Sequence, residues 1–311
     1  MKHIREKLTE RQKNNALRKL SERSFAIDFY SNDYIGFSTN PTITERVSQL
    51  ISDTTPHGAT GSRLLSGNSH LFTETERYIA DFHNAEGALL YNSGYDANVG
   101  FFSCIVGRGD VMLYDSYSHA SIRDGISLSL AHSYKFKHND LDDLEKLLKK
   151  FATGDKTVLI ATESVFSMDG DSPDLVRLVA LAQEYGAYIA VDEAHAIGVF
   201  GKHGCGLVQA LGLETEIFAR IVTFGKGLGA HGAAVFANDE VIQYLVNFSR
   251  SFIYTTAMSP HSVATIRAGY EQLQQTEAMN ALRHNIEYFK SLITQYGIEG
   301  FIPSNSAIQA M

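Results

Sequence analysis

Between residues 88 and 236, short apolar runs alternate with stretches patterned as helices. The runs are ALLYN (88–92), VMLYD (111–115), SYKF (133–136), TVLIATE (157–163), AYIAVDE (187–193), RIVTF (220–224) and AAVF (233–236). The helical segments between and after them cover 95–106, 119–130, 140–151, 173–185 and 238–249. Several runs are continuously apolar, as in strands covered on both faces. Such alternation predicts an α/β fold with a mainly parallel central sheet flanked by helices. In open sheets of this class, ligands sit beyond the carboxyl ends of the strands. That rule singles out Asn92, Ser93 and Gly94, then Asp115, Glu163, Asp192, and Thr223 to Lys226.

The flanks are less regular. MKHIREKLTERQKNNALRKL reads as a charged helix with Ile4, Leu8, Leu17 and Leu20 on or near one side, and it lacks the apolar centre of a signal peptide. Asn40-Pro41 predicts a helix start, with Asn40 as cap and Pro41 in the first turn. Residues 53–70 are rich in Gly, Ser and Thr and read as an ordered loop before a helix over about 71–84. From about 259 the chain is helical, and SAIQAM (306–311) reads as a strand just starting.

Composition removes several functions. The net charge of −8, with no basic block, argues against nucleic acid as a partner. No apolar run reaches membrane-spanning length. Cys104 and Cys205 make neither a disulfide framework nor a metal cluster. The expected location is cytoplasmic.

VTFGKGLGAHGAAVF (222–236) places Lys226 between glycines just after an apolar run. Three readings compete: an ordinary surface turn, a phosphate loop, or an amine used as a covalent catalyst. The phosphate-loop pattern fails, because Gly227 stands where Ser or Thr is required. In AYIAVDEAHAIGVFG, Asp192 and Glu193 follow a buried-looking strand and His195 comes three residues after Asp192. That spacing lacks the further ligands of a metal site, and no G-x-S-x-G elbow supports a hydrolase.

Pyridoxal 5′-phosphate joins these features. It needs a lysine for its aldehyde, a carboxylate beside its ring nitrogen, a flat group on its ring face, and donors for its phosphate. Lys226 is the candidate amine and Asp192 the carboxylate. Ser93-Gly94-Tyr95 opens a helix whose free N–H groups suit a phosphate. His119, in YSHAS, is a flat ring past a strand end. Each also has a plain reading, His119 as a helix-start polar residue and Gly94 as turn chemistry. Their common placement favours the cofactor.

SNDYIGFS, TGSRLLSGN, NSGYDAN, DSYSHAS, TESVFSMDGD, VDEAHAIGVFG and VTFGKGLG follow in one order and at suitable spacing. Together they resemble the α-oxoamine synthases, PLP-dependent transferases of fold type I, over residues 10 to 311. Members condense an amino acid with an acyl-CoA, releasing carbon dioxide and free CoA. GSRLLSGN, FSMDGD and IYTTAMSP resemble the branch that joins L-alanine to pimeloyl-CoA, or to a pimeloyl carrier protein, in biotin biosynthesis.

The resemblance implies roles residue by residue. Lys226 would be the Schiff-base lysine, Asp192 the partner of the ring nitrogen, His195 a partner of the phenolic oxygen, and His119 the stacking ring. Gly94 and Tyr95 would contact the phosphate, with a hydroxyl from Thr223. Ser167 would lie near the cofactor and Glu163 near the reacting groups. Asn32 would sit by the substrate carboxylate, and Arg18 falls where that branch carries an arginine for the acyl substrate. Thr255 or Thr256 would reach the phosphate of a partner subunit, since the family's sites lie at a homodimer interface.

The resemblance also implies three parts: an N-terminal helical and strand segment (1–45), a large PLP-binding domain (46–285), and the start of a small C-terminal domain (286–311). Family chains continue beyond SAIQAM, so this chain is expected to lack the rest of that domain, with its arginine for the amino-acid carboxylate and its late threonine. Other functions remain open here: the glycine C-acetyltransferase branch, another fold-type-I reaction such as transamination or aldol cleavage, and an inactive PLP-binding scaffold or regulatory subunit. The lysine counts against the scaffold, and the SHAS histidine and FSMDGD favour acyl transfer.

Overall fold

All seven apolar runs become strands of one sheet: β1 (Gly87–Tyr91), β2 (Val111–Asp115), β3 (His132–Phe136), β4 (Val158–Glu163), β5 (Tyr188–Asp192), β6 (Ala219–Thr223) and β7 (Ala233–Ala237). The computed structural model describes residues 1–20, 22 and 25–311. The strand order is β1-β7-β6-β5-β4-β2-β3. Strands β3, β2, β4, β5 and β6 are parallel, and β7 runs antiparallel to both β6 and β1. The stretch 224–232 between β6 and β7 is too short for a crossover helix, so the chain must double back.

The helices are α1 (Lys2–Lys13), α2 (Pro41–Leu50), α3 (His70–Phe82), α4 (Gly94–Cys104), α5 (Ala120–Leu128), α6 (Leu141–Phe151), α7 (Leu175–Tyr185), α8 (Leu207–Ala210), α9 (Asp239–Phe248), α10 (Arg250–Ile253), α11 (Pro260–Leu273) and α12 (Ala278–Gln295). None among the described residues is long and apolar enough to cross a membrane. Met1–Ser31 and Asn32–Met311 are separate compact units.

Alternate strand residues feed opposite layers, as the pleat requires. Leu89, Met112, Leu159, Ala190, Ile221 and Val235 pack in one cluster with Phe101 and Phe102 of α4 and Ile122 of α5. On the other face, Leu113, Ile160, Ile189 and Val191 pack with Leu144 and Leu148 of α6 and Leu178 of α7. Leu90, Val222 and Phe236 pack with helices α2, α3 and α11 through Val47, Ile79 and Tyr270. The Asn40 cap forms as read: its Oδ1 accepts from the Thr42 N–H at 2.9 Å, with Pro41 in the first turn.

Three expectations are corrected. The first helix ends at Lys13, so Leu17 and Leu20 do not continue its apolar side; Asn15 takes a left-handed conformation (φ 51°) that breaks the helix. Among the described residues of 1–45 no strand forms. There the carboxylate of Asp33 instead accepts from the Phe37 and Ser38 N–H groups and tightens a turn. SAIQAM is not a strand either. Ser306 Oγ accepts from the Ile308 N–H at 3.1 Å and donates to Gly170 O at 3.1 Å, folding the segment onto the loop after β4.

Candidate active site

The chain reverses direction across the sheet between β2 and β4, the position where open α/β sheets bind ligands. Glu163 and Asp192 are register partners at the ends of β4 and β5, which sets their carboxyl groups side by side. Both are buried. Burial first, and then the charge of Asp192, push the Glu163 carboxyl well above the usual carboxylate range. Glu163 Oε1 accepts from the His119 N–H at 2.6 Å, which ties the start of α5 to β4. Asp192 Oδ1 accepts from the Ala194 N–H at 2.8 Å, and its Oδ2 accepts from Asn98 Nδ2 at 2.7 Å.

Lys226 follows β6, and its glycine neighbours have distinct uses. A Cβ on Gly227 would lie 2.2 Å from the carbonyl oxygen of Ile197, and Gly229 has φ +61° with its backbone against Ser38. The Gly227 approach seats the lysine turn on the loop that carries His195, and the Gly229 approach seats it on the turn at Ser38. Lys226 Nζ then lies 2.7 Å from His195 Nε2. Burial lowers the lysine's pKa, opposed by the charges of Asp192 and Glu163. Burial, followed by the charge of Lys226, pulls His195 down to about 3, so its ring is neutral.

His195 Nδ1 lies 2.7 Å from the Tyr34 hydroxyl, which is 3.3 Å from Asn32 Oδ1. With Lys226 as an ammonium, Nε2 accepts and the ring proton sits on Nδ1. Nδ1 then donates to Tyr34, whose hydroxyl donates to Asn32. Tyr34 is thus a member of the site that sequence reasoning missed. Its only signal was its place two residues after Asn32 in SNDY.

At the end of β1, Ser93 caps α4: its Oγ accepts from the Asp96 N–H at 3.1 Å and donates to Asp96 Oδ2 at 2.8 Å. The N–H groups of Gly94 and Tyr95 belong to the first helical turn, where no intrahelical acceptor exists. A Cβ on Gly94 would lie 2.3 Å from Thr223 Oγ1, so only glycine leaves the hydroxyl and the helix start this close. The Tyr95 hydroxyl donates to Asp124 Oδ2 at 2.6 Å, leaving its main-chain N–H for a ligand. Asn92 Nδ2 donates to Thr255 Oγ1 at 3.1 Å and to Thr256 O at 2.9 Å, holding both threonines beside the same strand end.

His119 is the N-cap of α5 and its ring is exposed. Its Nδ1 lies 2.7 Å from Ser121 Oγ and accepts from the Ser121 N–H at 3.2 Å. Ser167 lies in the turn after β4 and makes no hydrogen bond to this group among the described residues. Asp115, one of the strand-end residues, has a structural use. It accepts from the Tyr117 and Asn139 N–H groups and pairs with His138, which bridges to Asp171 in the FSMDGD loop. Arg18 lies in the exposed stretch after α1, within the unit Met1–Ser31.

The donor set suits pyridoxal phosphate: a half-buried amine, a buried carboxylate, an exposed flat ring, and a cradle of Gly94, Tyr95 and Thr223 that a single Cβ would fill.

Residues 26–311 match the family described as aminotransferase class I and II. The 8-amino-7-oxononanoate synthase of Emericella nidulans is 44% identical over 299 residues, spanning 91% of this chain and 72% of that one. That of Lysinibacillus sphaericus is 40% identical over 284 residues, spanning 90% and 72%. Among solved structures, serine palmitoyltransferase from S. paucimobilis, with a bound PLP–myriocin adduct, superposes with a TM-score of 0.89 at 28% identity, covering 99% of this chain and 81% of that one. The 8-amino-7-oxononanoate synthase of Francisella tularensis gives 0.72 at 28% identity, covering 88% and 77%.

Proposed function

The chain belongs to the class I and II aminotransferase family, and from that footing we propose that it is an α-oxoamine synthase acting as an 8-amino-7-oxononanoate synthase. It joins L-alanine to a pimeloyl thioester, releasing carbon dioxide and the free thiol of CoA or of a carrier protein. The acting form is a cytoplasmic homodimer. The observation that carries the reading is the convergence of Lys226, His195 and Asp192 at the ends of adjacent strands β5 and β6.

Bound pyridoxal phosphate supplies an electron sink for the bonds broken at the α-carbon. Gly94 and Tyr95 would hold its phosphate, with a hydroxyl from Thr223, and Thr255 or Thr256 would reach the phosphate of the partner subunit. Asp192, fixed by Asn98 and the Ala194 N–H, holds the proton of the ring nitrogen. His195 orients the phenolic oxygen, and His119 covers the ring face. Ser167 would lie near the cofactor. Lys226 would hold the cofactor's aldehyde and stand as the base for the α-proton; burial lowers its pKa and so favours the free amine that a base requires. Asn32 positions the amino-acid carboxylate, Glu163 stands near the reacting groups through the start of α5, and Arg18 serves the acyl substrate.

The test has two readouts. Borohydride reduction of the PLP-loaded chain followed by peptide mapping should fix the pyridoxyl group on Lys226. Incubation with L-alanine and pimeloyl-CoA should release free CoA, and glycine or serine with other acyl-CoAs should release less. Labelling of a different lysine, or CoA release favouring glycine and acetyl-CoA, overturns the assignment.

A further inference from the structure

Asn98 enters above only as a support of Asp192 and Ser121 only as a neighbour of His119, yet together they connect these two residues. Asn98 is one turn into α4 from Gly94 and is 2% exposed; Ser121 is fully buried at the start of α5. Asn98 Nδ2 donates to Asp192 Oδ2 at 2.7 Å and to Ser121 Oγ at 3.0 Å. Ser121 Oγ lies 2.7 Å from His119 Nδ1.

The hydrogen positions follow from the partners. The Asp192 carboxylate only accepts, so the amide nitrogen of Asn98 must face it and the orientation of the side chain is determined. Both protons on that nitrogen are then used, one on Asp192 and one on Ser121. Ser121 Oγ already accepts from Asn98, so its own proton points to His119 Nδ1. The Ser121 main-chain N–H donates to the same Nδ1. A ring nitrogen that receives two donors carries no proton, so the neutral His119 ring holds its proton on Nε2.

The approach of α4 to α5 is built for this contact. Gly125 faces α4 so closely that a Cβ there would lie 2.9 Å from Asn98 O and 2.9 Å from Phe102 Cβ. Any larger residue would push the two helices apart and lengthen the Asn98–Ser121 bond.

We propose that Asn98 and Ser121 are positioning residues that link Asp192 to His119 and fix the His119 proton on Nε2, where it faces the acyl substrate as a donor. The inference rests on the proposed reaction, in which Asp192 and His119 contact the same cofactor. It adds a buried hydrogen-bonded connection between the edge and the face of that ring. Such a bond makes the Nε2–H available to a developing negative charge on the thioester oxygen without reorganisation.

The experiment is 15N NMR of histidine-labelled protein, free of cofactor, with His119 identified by its loss in His119→Gln. The expected spectrum shows Nε2 protonated and Nδ1 as a hydrogen-bonded acceptor. Ser121→Ala should move Nδ1 toward an unbonded nitrogen. Asn98→Leu, which does not touch His119, should move it as well, and Ser121→Thr should restore it. In the loaded enzyme, Ser121→Ala and Asn98→Leu should each lower kcat about tenfold, the loss expected from about one hydrogen bond, with KM within about twofold. A proton on Nδ1, or a His119 signal unmoved by both substitutions, overturns the proposal. Where Asn98→Leu fails to fold, Ser121→Ala and Ser121→Thr decide it. Absence of condensation in the wild type strikes the proposed reaction alone, because the cofactor-free spectra still judge the connection.

Discussion

Lys226 Nζ and His195 Nε2 lie 2.7 Å apart, from turns that follow different strands. The contact exists because Gly227 lets its backbone meet the carbonyl of Ile197. It puts a desolvated amine against a neutral imidazole, and it gives each group a measurable signature.

The first signature is pH-dependent stability. His195 is held down to about 3, while an unfolded histidine titrates near 6.5. Between those values the unfolded chain binds a proton that the folded chain refuses, so stability falls as pH drops from about 6.5 toward about 3. Thermal melting of the cofactor-free chain should show this loss, with a slope of up to about 1.4 kcal/mol per pH unit from this group. His195→Gln should make the loss shallower. Some should remain, because burial also holds His83 well below its ordinary value.

Replacing Lys226 separates chemistry from folding. Lys226→Ala removes both the covalent anchor and the base, so turnover should fall at least about a thousandfold. The amine is disfavoured by burial, so its loss should leave Tm unchanged or raise it. A steep drop in Tm beside the lost activity would show that the lysine is structural.

Gly94→Ala tests the phosphate cradle. Gly94 has an ordinary helical backbone, so alanine is tolerated there, but its Cβ would press on Thr223 Oγ1 at 2.3 Å. The Kd for pyridoxal phosphate, followed by visible absorbance, should weaken at least about tenfold, or about 1.4 kcal/mol. Unchanged affinity would move the phosphate elsewhere.

Tyr34→Phe removes the hydroxyl that meets His195 Nδ1 at 2.7 Å while keeping the ring. The pH midpoint of the loaded enzyme's visible spectrum should shift by roughly half a unit to one unit, the scale of one hydrogen bond. The rate constant kcat should fall about tenfold. An unaltered titration would leave Tyr34 outside the site.

Gly229→Ala addresses stability. At φ +61°, and with a Cβ 2.3 Å from the Ser38 N, alanine there is both strained and crowded. Chemical denaturation should show a loss of about 1–3 kcal/mol.

Much of this was readable in one dimension. The strands were visible because a strand covered on both faces must be apolar throughout, and the ligand end followed from their parallel direction. Lys226, Asp192 and Gly94 lie at or just past strand ends, where a local rule finds them, and His195 and His119 follow within a few residues. The misread segments have equally physical causes. Leu17 and Leu20 carry the right residue types, but the chain had already turned at Asn14 and Asn15. SAIQAM has strand-like residues, but the hydroxyl of Ser306 bonds locally and to Gly170.

Periodicity and local chemistry therefore determined the layers and the direction of most strands, and they named the candidate residues of the site. Tertiary structure alone decided which polar groups meet. Tyr34 reaches His195 across 161 positions, Asn98 reaches Asp192 across 94, and Glu163 reaches the His119 N–H across 44. Nothing near Tyr34 or Asn98 in the sequence marks their distant partners His195 and Asp192. A hydrogen bond requires atoms within about 3 Å at a defined angle, and that condition is met only after the sheet has set its register and glycines such as Gly125 and Gly227 have let backbones close.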